Sequence, residues 1–100
     1  MRRSVTPQQR GNSCNMYYVY VLKSLKDGKI YTGYTSELWK RIEQHLRGEV
    51  KSTLNRKPLK LIYYEVYLSE IDARKREKYL KSGGKAKTDL KLQIKNSLIF

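Results

Sequence analysis

Cysteine and histidine each occur once in the 100 residues, as Cys14 and His45. No disulfide can close within the chain, and no Cys/His cluster can hold zinc. The same scarcity argues against Ser-His-Asp and Cys-His nucleophilic centres. Neither GxxxxGK[ST] nor GxGxxG is present, so nucleotide-phosphate cradles have no support. No apolar run approaches the ~18 residues that a membrane span needs. The first residues, MRRSVTPQQRGNSCN, lack the apolar stretch of a signal peptide. Acids are scarce too, nine against 22 Lys and Arg. These absences together lead us to expect a soluble protein of a reducing, cytoplasmic setting, with no membrane attachment.

What is present is positive charge. The formal net charge is +13 and the pI about 10.0. A field of this sign attracts polyanions, of which nucleic acid is the commonest in a cell. Anionic membrane is the rival, but the one basic amphipathic segment, KTDLKLQIKNSLIF, offers too narrow an apolar face. Apolar residues make up 39% of the chain, enough for one small core. Nine tyrosines stand against one Phe and one Trp. Tyrosine suits half-buried strands, and its hydroxyl can also bond phosphate or water.

Residues 1–15 contain one Val, no aromatic residue and no periodicity, and read as a disordered extension. The domain is expected over residues 16–100. It keeps the basic character, because the extension holds only Arg2, Arg3 and Arg10 among the cations. YYVYVLK, from Tyr17, is rich in aromatic and β-branched residues and predicts a strand. Asp27-Gly28 marks a hairpin turn, and Ile30–Tyr34 returns as a second strand. Ser36 is positioned to cap a helix with Leu38, Ile42 and Leu46 as its apolar stripe, stopped by Gly48. Leu59–Leu68 predicts a third strand. Ser69 and Asp72 have capping-box spacing and open a second helix to about Ser82, ended by Gly83-Gly84. A last helix is predicted over Thr88–Leu98. The order β-β-α-β-α-α describes an α+β fold with a small, mainly antiparallel three-stranded sheet flanked by helices.

The remaining inventory of tyrosines, cations, one histidine and a few acids suits phosphodiester chemistry better than peptide or sugar chemistry. Hydrolysis of a phosphodiester needs a base for water, a cation for developing charge, and often a metal held by few carboxylates. Tyr18 and Tyr20 share a strand face, and hairpin pairing can bring Tyr31 near them. Gly33 would permit close approach of a ligand to the backbone. Arg41 and His45, four apart, share a helix face. Singly, each has an ordinary reading: packed strand tyrosines, a solvated arginine, a satisfied histidine. Glu77, flanked by Lys75, Arg76 and Lys78 with Lys81 one turn on, reads by itself as a helix salt-bridge residue.

Their joint spacing is more specific. Y-V-Y at Tyr18–Tyr20, ten residues, Y-T-G at Tyr31–Gly33, then T-x-x-L-x-x-R-x-x-x-H from Thr35 to His45, closely resembles the GIY-YIG nuclease signature. Ala73 to Lys81 resembles that family's A-x-x-R-E-K-x-x-K helix. The resemblance covers about residues 16–85 and looks closest to the small stand-alone bacterial branch. Tyr18 and Val19 replace the Gly and Ile of the first triplet, while Tyr20 is kept. The resemblance implies a divalent-metal-dependent endonuclease using Mg²⁺ (or Mn²⁺) on DNA, or alternatively RNA, gripped by its backbone phosphates. It assigns Tyr20 to activating water, Tyr31 to the phosphate or the same task, Arg41 to the scissile phosphate, and His45 to proton shuttling or a phosphate contact. Glu77 corresponds to the metal ligand. Glu65 and Asp72 are second-choice carboxylates, and Asn96 only loosely matches a further polar position of the family. A phenol has a pKa near 10, and cations such as Arg41 are expected to lower that of Tyr20. With no appended reading module, recognition of DNA structure or direction by a partner protein is expected rather than sequence specificity. The alternative is a non-catalytic nucleic-acid-binding module, for DNA or for RNA and the ribosome.

Overall fold

The computed structural model describes residues 16–99; the predicted extension, residues 1–15, lies outside them. Strand β1 (Tyr17–Ser24) is central, with β2 (Ile30–Thr35) and β3 (Leu59–Tyr67) antiparallel on either side. Helix α1 (Leu38–Leu46) follows β2, a short 3₁₀ turn (Leu54–Arg56) precedes β3, and α2 (Glu70–Lys81), α3 (Gly84–Gln93) and α4 (Lys95–Leu98) complete the fold. The α+β class and element order agree with the sequence.

The hairpin closes as its residues dictate. Gly28 takes a positive φ of 74°, the Ser24 N–H donates to the Lys29 carbonyl, and the Asp27 carboxylate accepts the Lys29 N–H. Alternation along β1 then divides the interior into two clusters. Val19 and Val21 face Ala73, Leu80, Leu90 and Ile94 of the later helices, while Tyr20 and Leu22 face Leu38 and Ile42 of α1 and Leu59 of β3. Between Val21 and Leu22 the β1–β3 register shifts, leaving Ile62 as an extra residue in β3. That bulge lets Leu61 pair with Leu22 and still sets Tyr64 opposite Tyr20.

Several helix details differ from the sequence expectation. The N-cap of α1 is Glu37 rather than Ser36, and the Thr35 hydroxyl accepts the Glu37 N–H instead. Its buried stripe is Leu38, Ile42 and His45, with Leu46 48% exposed. A stripe advancing by four and then three follows the 3.6-residue turn, whereas two steps of four drift off it. Helix α2 starts as predicted, the Ser69 hydroxyl accepting the Asp72 N–H. The last predicted helix begins earlier, at Gly84, because Gly83 and Gly84, both at positive φ, reverse the chain at once. It also breaks at Ile94, whose φ of −111° leaves the helical range while its side chain stays in the core.

Candidate active site

Tyr20 is brought from the middle of β1 into the layer between sheet and α1, where it is 1% exposed. Its ring lies across the backbone of Gly33, its partner on β2, so closely that a Cβ there would overlap the ring. The glycine expected to admit a ligand therefore admits Tyr20. Tyr31, two residues earlier on the same face of β2, sits with its ring centroid 6.4 Å from that of Tyr20.

His45 comes from the last turn of α1 and is wholly buried. Its Nε2 is 2.8 Å from the Tyr20 hydroxyl and its Nδ1 is 2.7 Å from Thr53 Oγ1. Burial, helped by the Arg41 charge, holds the imidazole down to about 4, so it is neutral near pH 7. Burial also pushes the Tyr20 phenol up to about 12; Arg41 beside it lowers the value, and Tyr31 and Glu77 raise it. The cation does not win, contrary to expectation, because removing a phenolate from water costs more than one neighbouring guanidinium returns. With Tyr20 protonated and His45 neutral, the geometry assigns a relay in which the Tyr20 O–H donates to Nε2 and Nδ1–H donates to Thr53 Oγ1.

Arg41 lies one helical turn before His45, half-buried, its guanidinium donating to the Gln44 side chain at 3.0 Å. It also forms a wall of a pocket of about 360 Å³ that it shares with Tyr34, Glu37 and Lys40. The fourth component arrives from α2, which packs along β2. Ala73 and Leu80 anchor one face of α2 in the core, and Glu77 on that face has a side chain only 21% exposed. Lys81 Nζ bonds the Glu77 carboxylate at 3.0 Å and stands 5.7 Å from the Tyr31 ring centroid, placing both α2 side chains at the rim of the tyrosine pair.

Among the described residues no three His, Cys, Asp or Glu side chains cluster as a metal cage. A single half-buried carboxylate fits Mg²⁺ or Mn²⁺, which retain most of their waters and take further oxygens from phosphate; it does not fit zinc. Glu65 is otherwise engaged: its carboxylate accepts from the Tyr63 and Tyr67 hydroxyls and, bidentately, from Arg76. Asp72 is spent on the exposed first turn of α2, and Asn96 is exposed on α4. Thr53, buried in the loop between α1 and β3, was not anticipated. Its one sequence signal is that a buried histidine needs a second partner, and this does not say which residue supplies it.

Residues 16–90 match the GIY-YIG catalytic domain family. The chain is 43% identical over 83 residues to a UPF0213 protein of Clostridium perfringens, covering 82% of this chain and 85% of that one. It is 39% identical over 72 residues to a UPF0213 protein of Staphylococcus saprophyticus, covering 71% and 87%. The solution NMR structure of a UPF0213 protein from Bacillus halodurans superimposes with a TM-score of 0.51 at 33% identity, covering 80% of this chain and 85% of that one. Among the described residues no helix is long and apolar enough to cross a membrane.

Proposed function

The chain belongs to the GIY-YIG catalytic domain family, a family of nucleases, and from its site we propose a divalent-metal-dependent endonuclease that hydrolyses DNA phosphodiester bonds. The observation that carries this reading is the Tyr20–His45–Thr53 relay beside Arg41, since a binding module has no use for a buried proton acceptor aligned on a phenol.

The reaction follows from these positions. Arg41 holds the scissile phosphate and stabilises the charge that gathers on its oxygens. Tyr31 orients the same phosphate by a hydrogen bond from its hydroxyl. A water attacks phosphorus, and its proton passes to the Tyr20 oxygen as the Tyr20 proton passes to His45 Nε2. The new P–O bond forms as the bond to the leaving sugar oxygen breaks, and that oxygen takes a proton from solvent water, leaving a phosphate monoester and a sugar hydroxyl. Thr53 fixes the imidazole so that Nε2 faces the phenol. Glu77 would hold Mg²⁺ or Mn²⁺, which when bound supplies Lewis-acid stabilisation of the phosphoryl oxygens. The substrate is chosen by DNA structure or through a partner rather than by sequence, because a domain this small offers few side chains to base edges.

The test is incubation with labelled linear, nicked, branched and single-stranded DNA, with and without Mg²⁺. Wild type should cut at least one of them in Mg²⁺. Glu77→Gln should abolish cleavage with DNA binding intact or slightly tighter, since it removes both the metal's carboxylate and a charge that repels phosphate. Tyr20→Phe should abolish cleavage in a folded protein, and Arg41→Ala should weaken both binding and cleavage. Absence of cleavage across metals and DNA forms would leave a non-catalytic nucleic-acid-binding module.

A further inference from the structure

Trp39, the only tryptophan of the chain, is 66% exposed on α1, an unusual position for the largest apolar side chain. It meets Tyr64 of β3, itself 42% exposed, with ring centroids 6.0 Å apart and planes at 81°. Tyr18 of β1 extends the group, 6.1 Å from Tyr64 and edge-on to it. The result is a corner of two nearly perpendicular aromatic walls with a third ring at its floor. Three elements build it, with Tyr64 held to this face by its regular pairing with Tyr20.

The corner is continuous with the site. Tyr64 pairs directly with Tyr20 across β1 and β3, one strand spacing of about 5 Å away. Trp39 and Arg41, two positions apart, lie on opposite flanks of the buried stripe of α1, and the chain around them carries +13. An exposed aromatic face on a strongly basic domain is complementary to a ligand with flat apolar rings on a polyanionic backbone. A base paired within a duplex has both faces covered by its neighbours; an unpaired base does not.

We propose that the Trp39–Tyr64 corner is a stacking site for an unpaired nucleobase, so that the substrate is single-stranded nucleic acid or a flap or loop containing it. This rests on the nuclease reading for the word substrate, but base stacking itself can be tested without cleavage.

The experiment uses the full chain carrying Glu77→Gln and follows Trp39 emission during titration with a short oligothymidylate, an abasic oligonucleotide of equal length and a blunt duplex. Oligothymidylate should quench the emission and bind at least about 5-fold more tightly than the abasic strand, with base–aromatic stacking setting the range at roughly 5- to 100-fold. Binding read by anisotropy should fall by a similar factor in Trp39→Ala and Tyr64→Leu, and Trp39→Phe should retain most of it. Equal affinity for the abasic strand, or a duplex that quenches as strongly as the single strand, would overturn the proposal. So would quenching by anionic phosphatidylglycerol vesicles to the same extent, or self-association of the protein that Trp39→Ala abolishes. Oligothymidylate that stacks but is never cut by wild type would sink the nuclease reading alone. Cleavage with no preference for bases over abasic backbone would sink the stacking site alone.

Discussion

The Tyr20 ring occupies the space that any side chain at position 33 would need, so this tyrosine and a backbone glycine on the next strand are parts of one packing unit. Gly33→Ala should therefore destabilise the fold by about 1–3 kcal/mol in urea denaturation, as overpacking of a core does. In a Tyr20→Ala background the same change should cost almost nothing. Additive effects in the double-mutant cycle would show that the two residues do not share the space.

His45 links the site to pH. Its folded pKa, about 4, lies below the unfolded value near 6.5, so the unfolded chain binds more protons between these values. Its contribution is full above about pH 6.5 and is lost as pH falls toward 4, up to about 3 kcal/mol in all. Stability measured at pH 7 and 4.5 should differ less in His45→Gln than in wild type. An identical pH dependence in both proteins would mean that the imidazole is not held neutral.

In the proposed reaction Thr53 acts as a positioning residue, bonded to His45 Nδ1. Thr53→Val keeps the shape but removes the acceptor for Nδ1–H, releasing the imidazole to turn or change tautomer. Cleavage should fall by roughly 10- to 100-fold in kcat with KM little changed, as loss of a buried hydrogen bond of about 1–3 kcal/mol implies. Thr53→Ser should restore most of the rate. A rise in KM alone would assign the threonine to substrate binding instead.

The Glu65 carboxylate, which also accepts from Tyr63 and Tyr67 of its own strand, ties β3 to α2 through Arg76, away from the proposed chemistry. Arg76→Leu should lower stability by about 2–3 kcal/mol, since it strips a half-buried carboxylate of its counter-charge. Cleavage per folded molecule should be unchanged. Equal loss of activity and stability would put Glu65 or Arg76 in the site after all.

The sequence discloses what periodicity can carry. Strand alternation and the ten-residue gap put Tyr20 and Tyr31 on one face, and the four-residue spacing put Arg41 beside His45. What stayed hidden depends on contacts between distant segments. Thr53 reaches His45 from an irregular loop, the Glu65 cluster joins a strand to a helix, and the Trp39–Tyr64 corner joins a helix to a strand 25 residues further along the chain. The exposed Leu46 and the rise of the Tyr20 pKa share a cause: both are decided by how deep a residue finally lies, a three-dimensional quantity.

The complete enclosure of His45 has a consequence for timing. Both ring nitrogens are committed, one to Tyr20 and one to Thr53, and no surface of the residue meets bulk water. A proton lodged there has no exit to solvent except back through its two neighbours, and small buffer molecules cannot collect it. In the proposed reaction, resetting the site would then begin with an internal event, the return of the proton from His45 to the Tyr20 oxygen.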